Sequence, residues 1–297
     1  MAFEHPFAIK KGGLLMLEDL QWGAELVGGR SIRDGYRRGW GLEHGDLREK
    51  IAADPDFQSA AKLAEGRSVV GIDKLMNLFL LVKFFLPKLP FGHIMEFGSF
   101  RGGSAFFLAS LAARFLPGAR VYALDTFSGI PESDASVDAH GAGDFDNTDF
   151  DEIASSAKRF GLHNLRLVRG KFSDTAGTAI AEAGTLALVH IDCDTHESVK
   201  FAYQVSKRCL VHGGYFVFDD SIGSSCIGAT QAVEQEVIQR DKRLSEQIFP
   251  HHVFRNQPSR PRRSIHPKVN TWNVVLAVSL TALICALVLV RMGWGAP

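Results

Sequence analysis

Between Phe91 and Phe254, short apolar runs alternate with stretches of helical periodicity. HIMEF (93–97), ARVYALD (119–125), NLRLVRG (164–170), LALVHID (186–192) and GYFVFDD (214–220) read as strands. Ser104–Phe115, Phe150–Gly161 and Ser198–Leu210 read as helices, the second closing on a glycine cap. Strands alternating with helices predict an α/β fold, a Rossmann-like parallel sheet with helices on both faces.

Outside this region the pattern changes. Leu75–Leu86 is apolar but contains Asn77 and Lys83 and stops at Pro87, which predicts a buried helix of a globular domain. Residues 14–27 have the pattern of an amphipathic helix, and 28–66 are polar and mixed, with no evident chemistry. These stretches divide the chain into an N-terminal helical extension over 1–70 and a catalytic domain over 71–254. A basic linker (255–271) and the uncharged run WNVVLAVSLTALICALVLV (272–290) follow. At ~1.5 Å per residue that run spans roughly 28 Å, close to the apolar thickness of a bilayer. A buried core helix is the alternative, but the run has no polar face. It is therefore expected to be a transmembrane helix. Arg260, Arg262, Arg263 and Lys268 on one side face only Arg291 on the other. That bias predicts a single-pass membrane protein with a cytoplasmic catalytic domain.

Composition adds exclusions. With 46% hydrophobic and 22% charged residues the chain lies in the globular range. The formal net charge of zero hides an asymmetry: six of the 33 basic residues lie beyond Glu246, and none of the 33 acidic ones does. The body is thus mildly acidic, which argues against nucleic acid as a partner. The 4 cysteines have no zinc-ligand spacing and suggest no disulfide framework.

Two constellations carry chemistry. Glu96-Phe-Gly-Ser-Phe-Arg-Gly-Gly-Ser104 follows the first strand, and Gly98, Gly102 and Gly103 let backbone approach a ligand or simply pack tightly. Asp125, ending the second strand, can accept from both ribose hydroxyls, and the pair together suggests an adenosine-containing ligand. Asp192 and Asp194 end the fourth strand, and Asp219 and Asp220 end the fifth. In a parallel sheet these ends share one edge. The four carboxylates are either solvated loop starts or the ligands of a hard divalent cation. A nicotinamide dehydrogenase needs only the first constellation. A hydroxyl methyltransferase using S-adenosylmethionine needs both, since the acceptor oxygen must be aligned and deprotonated.

EFGSFRGGS, ALDTFSGIPE, GKFSDT, HIDCDTHES, GGYFVFDD and GATQAVEQE occur in this order. Together they resemble the macrocin O-methyltransferase family and, more distantly, catechol O-methyltransferase. The resemblance spans about Gly71 to Phe254. It implies a class I methyltransferase with Glu96, Gly98, Phe100, Gly102 and Ser104 along the methionine part of the cofactor. Asp125 would lie at its ribose, and Phe172 and Ser173 beside its adenine. Asp192, Asp219 and Asp220 would hold Mg2+ or another divalent cation. Where the family has tyrosine and glycine, this chain has His196 and Cys193. His196 is either a general base near neutrality or a polar replacement, and Asp194 is an equal candidate.

The expected activity is metal-assisted methylation of a hydroxyl on a sugar, glycolipid, lipid-linked saccharide or polyketide-type acceptor. Two alternatives stand beside it: a phenol methyltransferase, and a catalytically degenerate, membrane-tethered binding module. Acceptor specificity is expected from residues 1–66 and the loop Ser133–Asp149, which either closes over the cofactor on Gly141 and Gly143 or lies in solvent. The oligomeric state stays open, a homo-oligomer included.

Overall fold

In every central strand, alternate side chains enter two different apolar cores. Ile94, Leu188 and Val217 join one buried cluster, while Met95, Val189 and Phe216 join the other. This is the two-residue period of a strand covered on both faces, and it explains why the strands read as nearly continuous apolar runs. The computed structural model describes residues 9–10, 13–14, 26–27, 30–31, 47–222, 226–247 and 250–257. Contacts divide the chain after Asn256, and of the second unit, Gln257–Pro297, only Gln257 is described.

The strands of the seven-stranded sheet are β1 (His93–Phe97), β2 (Val121–Asp125), β3 (Leu165–Arg169), β4 (Leu186–Ile191), β5 (Leu210–Phe218), β6 (Ser245–Gln247) and β7 (His252–Arg255). They lie in the order β6-β7-β5-β4-β1-β2-β3. The five strands from β5 to β3 are parallel, and β7 and β6 are antiparallel additions beside β5. The order reverses between β1 and β4, where a parallel sheet opens a crevice at its carboxyl edge.

Eight α-helices are described: α1 (Leu47–Ala52), α2 (Pro55–Ala64), α3 (Ile72–Leu80), α4 (Gly103–Phe115), α5 (Phe150–Arg159), α6 (Phe172–Ala183), α7 (His196–Ser206) and α8 (Ile227–Ala232). Buried residues of α1–α5 join the Ile94 core, and those of α6–α8 join the Met95 core. Local chemistry sets their ends. Asp54 caps α2 by accepting from Asp56 N at 2.9 Å, with Pro55 in the first turn. Asp149 caps α5 through Asp151 N and Glu152 N. The chain leaves α3 through a π-helical turn, Leu81–Phe85, before Pro87 closes the helical path. Phe57 of α2 meets Phe79 and Phe107 edge-on, at centroid distances of 5.4 and 5.9 Å, so α2 to α4 share one aromatic core.

Several expectations change. Strand β5 begins at Leu210 rather than Gly214, and α7 runs from His196 to Ser206 rather than from Ser198 to Leu210. Helix α6 and strands β6 and β7 were not expected. The amphipathic helix over 14–27 is not seen at its ends. Leu14 pairs in a two-residue strand with Ile9, and Leu26–Val27 pairs with Arg30–Ser31; the intervening residues are outside the described ones.

The membrane assignment is corrected too. Among the described residues no helix is long and apolar enough to cross a membrane. The run 272–290, with the flanking arginines that oriented it, lies outside the described residues. The single-pass, cytoplasmically oriented placement is withdrawn.

Candidate active site

A cavity of 340 Å³ opens over the carboxyl edge where β1 and β4 part. Gly98, Ser99, Phe100, Ser104, Asp125 and Phe172 line one part of it, and Asp192, Asp194, Asp219 and Asp220 another. The two constellations of the sequence therefore share one space. Glu96, Gly102, Ser173 and His196 do not line it.

The first wall is built by hydrogen bonds from backbone to Asp125. Ser99 N and Phe100 N both donate to Oδ2 at 2.8 Å, and Phe127 N donates to Oδ1 at 2.7 Å. Thr126 Oγ1 also lies 3.4 Å from Oδ1, but its one proton has a nearer acceptor in Gly129 O at 2.7 Å. Of the roughly four acceptor sites of a carboxylate, at most one is left for a hydroxyl rather than the two anticipated. The glycines of this turn serve the chain's own packing. A Cβ on Gly98, whose φ is +87°, would lie 1.6 Å from the Asp192 carbonyl oxygen. On Gly102 it would meet Phe106 and Ile153, away from the cavity. Non-glycine residues also take left-handed backbone here: Phe100 (φ 48°), Phe145 (φ 61°) and Asp194 (φ 59°) all line the cavity. Such strain persists where surrounding structure over-determines it, and it is concentrated at functional sites.

The second wall is acidic. Asp192, Asp219 and Asp220 each bring a carboxylate oxygen within 4.8 Å of the others. Burial and then the neighbouring carboxylates Asp219 and Asp220 drive Asp192 well above the usual range. Burial, then Asp194 and Asp219, pushes Asp220 up to about 7. Asp219 differs. Burial opposes its ionisation, but His190, His251 and Lys74 outweigh burial and hold it well below the usual range. Two of the three acids thus stay above the usual range even with Lys74 nearby, and an all-oxygen donor set of this size suits a hard divalent cation.

Behind this wall runs a buried polar chain. Ser99 Oγ donates to Glu96 Oε2 at 2.7 Å, and Glu96 Oε1 lies 3.0 Å from His190 Nδ1. His190 Nε2 is 3.6 Å from Asp219 Oδ1, which also meets His251 Nε2 at 2.8 Å. Burial alone would lower His190, yet Asp219 and Glu96 raise it to about 9. Glu96 is fully buried in this chain, behind the cavity rather than in it.

Of the two base candidates, Asp194 faces the cavity. Its backbone N–H donates to Asp220 Oδ2 at 3.2 Å, and Cys226 Sγ lies 3.5 Å from Oδ1. Burial raises its carboxyl above the ordinary value. His196 begins α7 and spends both ring nitrogens elsewhere, near Glu197 at 3.0 Å and Gln235 at 3.1 Å. Ser173 is in α6, with its hydroxyl on Asp174 at 2.8 Å.

The cavity also has contributors that sequence reading missed. Arg67–Val70 and Lys74 arrive from the segment that ends α2 and begins α3. His140 and Phe145 come from the loop 133–149; these two line the cavity, while most of the loop's residues are exposed. Gly143 N donates to Ile130 O at 2.9 Å, and Ile130 N to Asp144 O at 2.8 Å. Asp138 Oδ1 accepts from His196 N at 2.8 Å, fixing the loop to the start of α7. Charge spacing gave no signal for any of these.

Comparison with known proteins identifies similar O-methyltransferases. The macrocin-O-methyltransferase family profile matches residues 48–246. A Streptomyces olivaceus enzyme, 8-demethyl-8-(2,3-dimethoxy-alpha-L-rhamnosyl)-tetracenomycin-C 4'-O-methyltransferase, is 29% identical over 184 residues, 59% of this chain and 70% of that protein. Mycinamicin III 3''-O-methyltransferase of Micromonospora griseorubida is 24% identical over 193 residues, 59% of this chain and 75% of the other. The solved structure of the O-methyltransferase NovP superposes with a TM-score of 0.55 at 21% identity, covering 72% of this chain and 95% of that one. The structural likeness speaks for the fold alone.

Proposed function

The chain belongs to the macrocin O-methyltransferase family, and on that premise we propose that it carries a methyl group from S-adenosylmethionine to a sugar hydroxyl of a glycosylated polyketide-type acceptor, with help from a divalent cation. The sugar-bearing acceptors named for the S. olivaceus and M. griseorubida relatives favour this class. One observation carries the reading: the Asp125 wall and the acidic wall border one cavity, with Asp194 on its lining.

When bound, S-adenosylmethionine supplies a methyl group on a positively charged sulfur, so the acceptor oxygen forms its C–O bond as the C–S bond breaks and the sulfur departs as a neutral thioether. Gly98, Phe100 and Ser104 would border the methionine part, Asp125 would take one ribose hydroxyl, and Phe172 would lie beside the adenine. Glu96 and Gly102 act from behind, Glu96 through Ser99 and Gly102 through the left-handed start of α4. Ser173 faces outward and has no place in this scheme. Asp192, Asp219 and Asp220 would hold the cation, which would lower the hydroxyl pKa and fix the oxygen. Asp194 receives the hydroxyl proton, burial having raised its carboxyl above the ordinary value and with it its affinity for a proton. His196 is assigned the polar-replacement role, since its ring is turned away.

The test uses the purified full chain, first titrated with S-adenosylmethionine by calorimetry. Methyl transfer to glycosylated polyketides is then measured with and without exhaustive chelation. Loss of turnover on chelation, restored by Mg2+, is expected. Full activity after chelation would overturn the metal part, and absence of cofactor binding would overturn the whole.

A further inference from the structure

Helix α3 reaches Asp219 with two polar side chains set one turn apart. Lys74 Nζ pairs with Asp219 Oδ2. Asn77 Nδ2 meets His251 Nδ1 at 3.0 Å, and His251 Nε2 meets Asp219 Oδ1 at 2.8 Å. Oδ1 also faces His190 Nε2 at 3.6 Å. One oxygen of Asp219 is thus committed to imidazoles in the protein interior. The other is the one through which Asp219 can take part in a cation site, and Lys74 already sits on it.

We propose that Lys74 is the resident counter-cation of the acidic wall, its ammonium competing with a divalent cation for Asp219 Oδ2 and so setting the affinity of the site for metal. The inference rests on the reading of Asp192, Asp219 and Asp220 as metal-holding. Three features carry it. The Asp219 side chain is 4% exposed, so water screens this pairing poorly. An ammonium is a compact point charge on a flexible stem. The Lys74 side chain is 25% exposed and lines the cavity, which leaves it space to withdraw as a cation enters. Lys74 is the positive charge on the cavity side, drawn by Asp219, Asp220 and Asp192 together, whereas His190 faces Asp219 from behind. A divalent ion seated beside an undisplaced ammonium would be repelled by it. Removing the ammonium leaves the acids more negative and the site more attractive to metal.

The experiment strips the full chain of metal and titrates it with Mn2+, following free ion by electron paramagnetic resonance and melting temperature in parallel. Lys74→Met should bind Mn2+ at least roughly tenfold more tightly than wild type and gain more melting temperature from it. Lys74→Arg, which keeps the charge, should stay near wild type. Equal or weaker Mn2+ binding by Lys74→Met overturns the inference and leaves the metal reading standing. If neither wild type nor Lys74→Met binds Mn2+, both fall. Binding by Lys74→Met alone supports the competition in its strongest form. Lys74→Gln, judged by the same criteria, covers a failure of the Met variant to fold.

Discussion

Phe100 donates its backbone N–H to Asp125 Oδ2 at 2.8 Å, tying the turn after β1 to the end of β2. Asp125 is therefore a structural acceptor as well as a candidate ribose ligand. Asp125→Ala would leave the N–H groups of Ser99, Phe100 and Phe127 without this partner, at a cost of about 1–3 kcal/mol for each that water does not reach. Both S-adenosylmethionine affinity and melting temperature should fall, affinity by at least about tenfold. A fall in affinity with an unchanged melting temperature would mean that the turn holds itself.

The two glycines of that turn should behave differently. Gly98→Ala drives a Cβ into the Asp192 carbonyl, a backbone atom that cannot step aside. It should prevent folding or destabilise by more than about 4 kcal/mol. At Gly102 the added Cβ meets the Phe106 and Ile153 side chains at 3.0 and 3.1 Å, and φ is +80°. Gly102→Ala should cost roughly 1–3 kcal/mol and change cofactor affinity little. Denaturant melts of both variants decide the matter.

Asp220 predicts a pH dependence. Its carboxyl lies at about 7 in the fold, against an ordinary 3.8. Between those values the folded chain holds a proton that the unfolded chain has released. The group's contribution is full below its ordinary value and is lost as pH rises through about 7. Metal-free wild type should lose melting temperature relative to Asp220→Asn between about pH 4 and pH 8. A constant difference across that range would contradict the assignment.

The loop 133–149 has an identifiable latch. Asp138 caps His196 N, and a Cβ on Gly228 would come within 1.9 Å of Asp138 Oδ1. Asp138→Ala should cost about 1 kcal/mol as a lost cap, speed proteolysis within 133–149 and raise the acceptor KM more than it lowers kcat. Gly228→Ala should do much the same, and the double variant should be less damaging than the sum. Full additivity would show that the two residues do not share one contact.

Strands β1, β2 and β4 were legible because both faces of each are buried, which leaves an apolar run that few other elements produce. The start of β5 was hidden by His212, Gly213 and Gly214, and β6 by its polar edge sequence, Ser245–Gln247. Helix α6 was hidden because its first residues, FSDT, look like a turn. The acids were legible because strand ends in a parallel sheet must meet. Lys74, Asn77 and His251 were not. They reach Asp219 from a helix far upstream and from the threshold of an antiparallel strand, and no sequence spacing encodes that meeting. Nor did the glycine pattern reveal that Gly98 is required by Asp192 rather than by a ligand.

The chain that joins Asn77 to His251 spans 174 residues, and the one that joins Lys74 to Asp219 spans 145. Contacts this distant bear their loop-closure entropy before they return anything, so they form late. On the ribosome, the turn around Asp125 and all four acids emerge before His251 does. A nascent chain halted before β7 would have the residues of the cofactor wall and His190 but not His251, the nearer of the two imidazoles on Asp219. The order of synthesis therefore leaves the acidic wall for last, and the pairing of β7 with β5 is the event that completes it.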